Sequence, residues 1–319
     1  MAKDRKFNLS ANHKATGKMT AGSLHPKSQW HKPDSGMTYF PRNKEDFIPI
    51  DELAKNYIFD HYYPDIPVFG SADKVVTMGS CFADRLRTWL RKNGKNADYI
   101  TVPEGLNNSF AVRQWIEWIC TGDRSSDAYW YDNDKSAGAF KWEPEQEQKE
   151  ILDFFKTTKG FVVTYGLAEV WRDKKTKGVF WRGVPNKVFN PELHESVTST
   201  VEENVNNMKR IADLIHQTCG EDKQIIYTLS PVPLAATFQN RPTMISDCVS
   251  KSILRVALDE YFRKHNPKNV HYWPSFEMVR WVGPHTEFPT LYEDNTTRHV
   301  NNSIVSIIID NFVKAFFKD

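Results

Sequence analysis

The sequence predicts an α/β fold: a three-layer sandwich with a mostly parallel sheet between two layers of helices. Short apolar runs alternate with helix-length amphipathic segments through most of the chain after residue 74. Parallel strands need crossover connections of one hand, which place helices on both faces of the sheet. With 319 residues, of which 40% are hydrophobic and 26% charged, the chain has the composition of an ordinary globular protein.

The first half of the predicted sheet has two strands and two helices. The run 74–79 (KVVTMG) is apolar and ends in glycine, which is typical of a strand that enters a turn. Residues 81–93 follow as a helix, since Phe82, Leu86 and Leu90 repeat at helical spacing. A second strand is predicted at 99–102 and a second helix around 110–119. Residues 122–148 are polar and aromatic, and we interpret them as an insertion or a long loop.

The second half repeats the alternation. The apolar runs 161–165, 224–229 and 269–273 are predicted as strands, and 179–181 as half of a hairpin. Helices are predicted at about 197–218, 243–264 and 301–317, each from an apolar stripe at helical spacing.

Residues 1–45 differ from the rest, because they contain nine basic and three acidic residues and lack a lasting apolar period. We interpret them as a polar arm, partly ordered at most, in front of a catalytic domain over 46–319. Trp30, Tyr39 and Phe40 leave open that the arm packs on a partner subunit or an anionic polymer. Nucleic-acid binding through this arm is the least favoured function, since the net charge of the whole chain is only +2.

Composition and motifs exclude several classes of protein. No run approaches the roughly 18 apolar residues of a membrane span, and no apolar segment follows the charged start as in a secretory signal, so a cytoplasmic location is expected. The chain has no glycine-rich phosphate loop, HExxH motif or EF-hand, and we predict neither a metal nor a cofactor. The four cysteines are distant in sequence and fit free thiols: Cys81, Cys120, Cys219 and Cys248.

Ser80 is the first candidate for chemistry. It stands between a predicted strand and a predicted helix, where the carboxyl ends of parallel strands form the usual ligand site. A hydroxyl at a helix N-terminus can attack a carbonyl carbon, and the nearby N–H groups can hold the resulting oxyanion. The alternative is an ordinary N-cap, for which serine is a preferred residue. Cys81 is a weaker candidate nucleophile, and we expect its side chain to be buried against the sheet.

His299 is the second candidate. It is predicted on a polar loop just before the last helix, five residues after Asp294 and six after Glu293. A carboxylate beside an imidazole fixes its tautomer and stabilises the imidazolium, as a general base requires. The alternative is an ordinary surface histidine.

Several segments carry a resemblance to a known family. Residues 79–83 (GSCFA) spell the signature of the GSCFA family, which is similar to the SGNH hydrolase superfamily of esterases and O-acyltransferases. Further blocks resemble that family at 102–110 (VPEGLNNSF), 164–171 (TYGLAEVW), 229–238 (LSPVPLAATF), 250–255 (SKSILR) and 298–301 (RHVN). The resemblance therefore extends over roughly residues 70–315.

This resemblance implies a flavodoxin-like sandwich, Ser80 as nucleophile and His299 as base. It also implies an oxyanion held by the N–H groups of Ser80 and Gly105 and by an asparagine after the third strand. The chain departs from the superfamily there, because Gly166-Leu-Ala-Glu169 contains no asparagine. The third donor is therefore either missing or replaced, and Asn107 or Asn108 is the expected substitute. The predicted oxyanion and substrate-binding residues are thus Gly105, Asn107, Asn108, Gly166 and Glu169.

A second departure concerns the acid, since Thr296 occupies the usual aspartate position three residues before His299. Asp294 is preferred over Glu293, and a Ser-His dyad without an acid is the alternative. Glu169 either accepts a substrate hydroxyl or serves as a helix cap or surface ion pair. The resulting hypothesis is a serine-dependent acyl hydrolase or acyltransferase that acts on an O-acetyl group of a carbohydrate, with an acyl donor in the transferase case. A non-catalytic glycan-binding protein on the same fold is the rival.

Overall fold

A computed structural model gives the structure of the chain and describes residues 40–41, 44–47, 49–100, 106–123, 128–129, 144–180, 184, 186 and 189–318. Contacts along the chain separate two units, Met1–Arg42 and Asn43–Asp319. The fold below is that of the second unit. The predicted arm at 1–45 lies almost entirely outside the described residues, so its role stays a prediction. Within the described part of the chain, no helix is long and apolar enough to cross a membrane.

Eleven strands and eight helices are described in this part of the chain. The strands are β1 (Val75–Gly79), β2 (Ala97–Tyr99), β3 (Ala128–Tyr129), β4 (Gly160–Tyr165), β5 (Glu169–Asp173), β6 (Val179–Phe180), β7 (His194–Thr198), β8 (Gln224–Leu229), β9 (Val270–Trp273), β10 (Leu291–Glu293) and β11 (Thr296–Val300). The helices are α1 (Ile50–Ala54), α2 (Cys81–Lys92), α3 (Ser109–Thr121), α4 (Pro144–Thr157), α5 (Val201–Cys219), α6 (Thr243–His265), α7 (Ser275–Glu277) and α8 (Asn302–Phe316).

The main sheet has five parallel strands in the order β2-β1-β4-β8-β9. Numbered within the sheet, this is the 2-1-3-4-5 order of flavodoxin-like folds, whose ligands bind where the direction of winding reverses. That reversal lies between β1 and β4. The predicted fold class is confirmed, and the order points to the carboxyl ends of these two strands as the place for a site.

Alternate side chains of the strands pack on opposite faces, which builds the three layers. Val76 and Met78 of β1 are buried with α3, α5 and α6, whereas Val75 is buried with α2 and α8. Such strands are apolar on both faces because helices cover both faces.

A smaller mixed sheet, β3-β6-β5-β7, and a hairpin, β10-β11, complete the fold. Strands β5 and β6 pair antiparallel, which agrees with the half-hairpin predicted at 179–181. Val179 and Phe180 are the described residues of that prediction. The sequence patterns did not reveal β7 or the β10-β11 hairpin, because each is stabilised by a partner strand and not by an apolar run of its own.

Three predicted boundaries are wrong. The strand predicted at 99–102 is β2, which runs from Ala97 to Tyr99. The predicted insertion at 122–148 includes the start of α4, which begins at Pro144. The predicted helix at 197–218 starts at Val201, because Thr200 and Glu203 form a capping box that fixes its first turn, and 194–198 is strand β7.

Candidate active site

Ser80 lies between β1 and α2, as predicted, with only 5% of its surface exposed. Its Oγ accepts a hydrogen bond from the N–H of Phe82 (3.3 Å), so the side chain caps α2. Its own N–H donates to the carbonyl of Thr164 (3.1 Å). That bond continues the pairing of β1 with β4, so the Ser80 N–H is not available to an oxyanion, contrary to expectation.

Gly79 sets the backbone turn that leads from β1 into Ser80. Its φ is +114°, and a Cβ added there would lie 2.1 Å from the carbonyl oxygen of Thr164. Only glycine fits such a conformation and such a close approach of two backbones. The turn that places Ser80 at the sheet edge therefore requires a residue without a side chain at position 79.

Gly166 and Asn107 lie beside Ser80. A Cβ built on Gly166 would be 3.5 Å from the Cβ of Ser80 and 3.6 Å from that of Asn107. The Cβ atoms of Ser80 and Asn107 therefore lie within about 7 Å of each other. The N–H groups of Gly166 and Leu167 both donate to the carbonyl of Asn107, at 2.7 and 3.1 Å. Gly166 is therefore a close-packed wall of the site, and its N–H is already bonded.

The structure places the other predicted oxyanion and substrate-binding residues in different surroundings. Gly105 lies outside the described residues. Asn108 is the N-cap of α3, where its Oδ1 accepts from the N–H of Ala111 (2.9 Å). Glu169 begins β5 and does not cap a helix; the hydroxyl of Thr237 donates to its carboxylate, at 2.8 Å from Oε1 and 2.9 Å from Oε2, and no ion pair of Glu169 occurs among the described residues. Of the two candidate amides, Asn107 has its Cβ beside Ser80.

His299 lies on β11 and not on a loop, which corrects the sequence interpretation. The turn before it is formed by Asp294 and Asn295, both with positive φ (53° and 57°). Two consecutive residues of this kind make the tight turn that joins antiparallel strands, and Asp and Asn are among the residues that tolerate it. This dipeptide was the sequence signal for the hairpin.

The hairpin brings Asp294 to His299. Asp294 Oδ2 lies 3.5 Å from His299 Nδ1, whereas Glu293 accepts a hydrogen bond from the N–H of Asn302 (2.9 Å). The geometry thus favours Asp294 over Glu293 as the partner of the imidazole. The imidazole side chain is 26% exposed and its contacts are made at Nδ1, which leaves Nε2 for another partner.

Arg85, which the sequence analysis missed, links this hairpin to α2. Its guanidinium pairs with Asp294, donates to the carbonyl of Val300 (3.0 Å) and lies 3.3 Å from His299 Nδ1. Arg85 is five residues after Ser80, about 7.5 Å along the helix axis. Ser80 and His299 are thus brought to one helix, although no direct hydrogen bond joins them in the structure.

The proton on His299 depends on these two neighbours. Arginine can only donate, so a bond from Arg85 to Nδ1 requires the proton to sit on Nε2. A carboxylate only accepts, so Asp294 favours the proton on Nδ1 and leaves the Nε2 lone pair as a base. Pairing of Arg85 with Asp294 also holds the carboxylate in place.

The sequence profile of the GSCFA family matches residues 74–312. The chain belongs to the GSCFA family. The match includes Ser80, the Gly166 wall and the hairpin with His299. No curated protein matches the chain.

Solved structures similar to this GSCFA-family chain are distant from it. A salicylyl-acyltransferase from a tetracycline biosynthetic pathway is 12% identical, with 77% of this chain and 54% of that chain covered and a TM-score of 0.38. A GDSL-like lipase from Bacteroides thetaiotaomicron is 10% identical (86% and 96% covered, TM-score 0.38). A carbohydrate esterase family 2 enzyme with a carbohydrate-binding domain, from Corynascus thermopiles (Myceliophthora fergusii), is 9% identical (79% and 68% covered, TM-score 0.37).

Cys81, the third letter of the GSCFA motif, is exposed, so the expectation of a buried side chain is wrong. The buried face of α2 begins with Phe82 and Ala83, and the preceding residue points about 100° away from Phe82 around the helix. All four cysteines are free thiols. Among the described residues, no group of three His, Cys, Asp or Glu side chains is arranged to hold a metal ion.

For the acyl-transfer chemistry expected from the sequence, Asp294→Asn is predicted to lower kcat/KM for an aryl acetate about 10–100-fold, because the amide no longer favours the Nδ1 proton. The effect is smaller than in a buried triad, since the Asp294 side chain is 61% exposed and its charge is screened. Steady-state kinetics measure this. Glu293→Gln is the matched control, and an equal loss in both variants would contradict the assignment of Asp294.

Proposed function

We propose that the chain is a serine-dependent acyl hydrolase or acyltransferase, with Ser80 as nucleophile, His299 as base and Asp294 as its orienting acid. The observation that carries this proposal is the arrangement around α2. Ser80 caps its N-terminus, and Arg85, in its second turn, contacts both Asp294 and His299. The nucleophile, the base and the acid are therefore gathered at one helix.

The reaction has two steps. His299 Nε2 takes the proton of Ser80 as Oγ attacks the ester carbonyl carbon, and a tetrahedral oxyanion forms. The intermediate collapses, the C–O bond to the leaving group breaks, and the imidazolium protonates the departing oxygen. In the second step, water or an acceptor hydroxyl gives a proton to His299 Nε2 as its oxygen attacks the carbonyl carbon of the acyl-Ser80 ester. The bond between that carbon and Ser80 Oγ then breaks, and the imidazolium protonates Oγ. Water makes the chain a hydrolase and an alcohol makes it a transferase.

The oxyanion is stabilised at the start of α2. The N–H of Cys81, the first helical residue, has no acceptor within the helix, and the helix dipole is positive there. The side-chain amide of Asn107 is the second donor, since its Cβ lies on the same side of Gly166 as that of Ser80. The Cys81 N–H takes the place of the Ser80 N–H, which is bonded in the sheet, and Asn107 takes the place of the asparagine that is absent at 166–169; the N–H of Gly105 remains the third predicted donor.

The substrate class is an O-acetylated carbohydrate. Phe238 is 63% exposed and packs edge to face against Trp171, with ring centroids 4.9 Å apart. Phe238 follows Thr237, whose hydroxyl donates a hydrogen bond to Glu169, the first residue of β5. An exposed aromatic face of this kind suits the apolar face of a sugar ring, and Glu169 has the chemistry to accept sugar hydroxyls.

Labelling with a fluorophosphonate probe tests the proposal. We expect one label per chain, located on Ser80 by mass spectrometry and absent from Ser80→Ala. Because Ser80 also caps α2, this variant loses about 1 kcal/mol of stability, so its melting temperature must be measured alongside. Cys81→Ala is the matched control and keeps the label. A label that follows Cys81 and ignores Ser80 would refute the proposed nucleophile.

A second candidate, a non-catalytic glycan-binding protein, is favoured by one observation. The Ser80 hydroxyl accepts from Phe82 as an ordinary cap, and its N–H is bonded within the sheet. If the folded protein takes no label, and acetylated glycans bind with an affinity that Phe238→Ala weakens, the chain is a binding protein. Labelled Ser80 excludes this candidate.

A further inference from the structure

Lys251 is a buried cation beside the proposed site. It lies on α6 with 1% of its surface exposed, and its Nζ donates to the carbonyl oxygen of Gly166. Gly166 is the residue that packs against Ser80 and Asn107. The ammonium group is therefore separated from the nucleophile by a single residue.

This ammonium lacks a paired carboxylate. No Asp or Glu of the described residues lies within 4.0 Å of its Nζ. Asp247, one helical turn earlier, instead pairs with Arg280 and accepts from the N–H of Leu234 (3.0 Å). An unpaired buried charge costs stability, and one that lies beside the proposed nucleophile is a candidate for a functional role.

The surroundings of Lys251 leave it charged near neutral pH. Burial lowers the pKa of the Lys251 ammonium to about 8; Arg280 also lowers this pKa, whereas Asp247 and Cys81 raise it. These three groups lie on the elements packed around Lys251: Asp247 on α6, Arg280 in the single turn Met278–Val282, and Cys81 on α2.

The loop held by Lys251 has no N–H to offer an oxyanion. The N–H groups of Gly166 and Leu167 donate to Asn107, and that of Ala168 donates to Ser250 Oγ (2.7 Å). The Lys251 ammonium, which donates to the Gly166 carbonyl oxygen, is the positive group beside this loop.

We propose that Lys251 is a positioning residue of the acyl-transfer site, whose ammonium fixes Gly166 against Ser80 and Asn107 and whose charge stabilises the oxyanion that forms at Ser80. This inference rests on the proposed function of Ser80. Lys251 does not bond to the substrate; it acts through the Gly166 peptide and through its electric field, which is strong because water is excluded around it.

The test measures the second-order rate of fluorophosphonate labelling of Ser80 from pH 6 to 10. In Lys251→Met, which keeps the length of the side chain and removes the charge, we expect labelling at pH 7 to be at least about 30-fold slower, with a melting temperature equal to or above that of the wild type. In Lys251→Arg the rate at pH 7 stays within about threefold of the wild type, because the charge and the donor remain.

The pH profile separates this role from a structural one. In the wild type, labelling is expected to slow as Lys251 loses its proton around pH 8, and this alkaline decline disappears in Lys251→Arg, whose side chain stays charged. Cys248→Ala, which removes an exposed free thiol from α6, is the control and keeps the decline.

Three outcomes would overturn the inference: Lys251→Met within threefold of the wild-type rate, a flat wild-type profile up to pH 10, or a decline that persists in Lys251→Arg. If both lysine variants fail to fold, the wild-type profile alone decides. A wild type that takes no label at any pH refutes the proposed function itself, whereas a labelled Ser80 with an indifferent Lys251 refutes only this inference.

Discussion

His299→Ala is expected to lower kcat/KM for an aryl acetate by about 10³-fold, with little change in melting temperature. In the proposed mechanism Asp294 holds the proton on Nδ1, and Nε2 then accepts the Ser80 proton. Without it, the hydroxyl must attack with its proton in place. Because the side chain is one-quarter exposed, its removal leaves no buried cavity that would unfold the hairpin.

The chain offers a matched control for this variant. His61 also lies beside an aspartate, with Nε2 3.8 Å from Asp60, and takes no part in the contacts of the proposed site. His61→Ala is expected to retain wild-type kinetics. Equal activity of His299→Ala and the wild type would remove the histidine from the mechanism, even if Ser80 were still labelled.

Gly79→Ala is expected to destabilise the fold by about 3–5 kcal/mol, which is enough to abolish activity through loss of the native state. An alanine Cβ would lie 2.1 Å from the carbonyl oxygen of Thr164, and neither backbone segment can move without breaking the β1-β4 ladder. Chemical denaturation followed by circular dichroism measures the loss.

Gly94→Ala separates the two causes of that loss. Gly94 also has a positive φ, +70°, but a Cβ added there meets nothing within 4 Å. This variant is expected to lose only about 1–2 kcal/mol, from backbone strain alone. The difference between the variants is then the cost of forcing β1 away from β4, and equal losses would show that the close approach at Gly79 is unimportant.

Apolar periodicity predicted the central strands and most of their flanking helices. It succeeded for β1, β4 and β8 because these strands are covered on both faces and their side chains are almost all apolar. It failed for α4, whose first turns, PEQEQK, are polar and obscured the stripe formed by Ile151, Leu152 and Phe155. The last two residues of β7, Val197 and Thr198, were predicted as helix because the helix begins only after the Thr200–Glu203 capping box.

Motif spacing selected Ser80, Asp294 and His299, but it did not reveal their surroundings. The Asp294–Asn295 turn is a local signal, so the hairpin was readable in principle. Arg85 and Lys251 carry no local signal. Each is an ordinary helical residue in sequence, and each gains its place at the site from a partner that is distant in the chain: Val300 and Asp294 for Arg85, Gly166 for Lys251.

The sequence by itself determined the layers, the strand-turn-helix that presents Ser80, and membership in the GSCFA family, because apolar periodicity and glycine placement act over a few neighbouring residues. Tertiary structure alone decided which N–H groups are already bonded, which acid reaches His299 and where a buried ammonium lies. Those outcomes depend on the packing of one segment against another, and the energy of a hydrogen bond or a buried charge is set by whichever atoms the fold brings within about 3–4 Å.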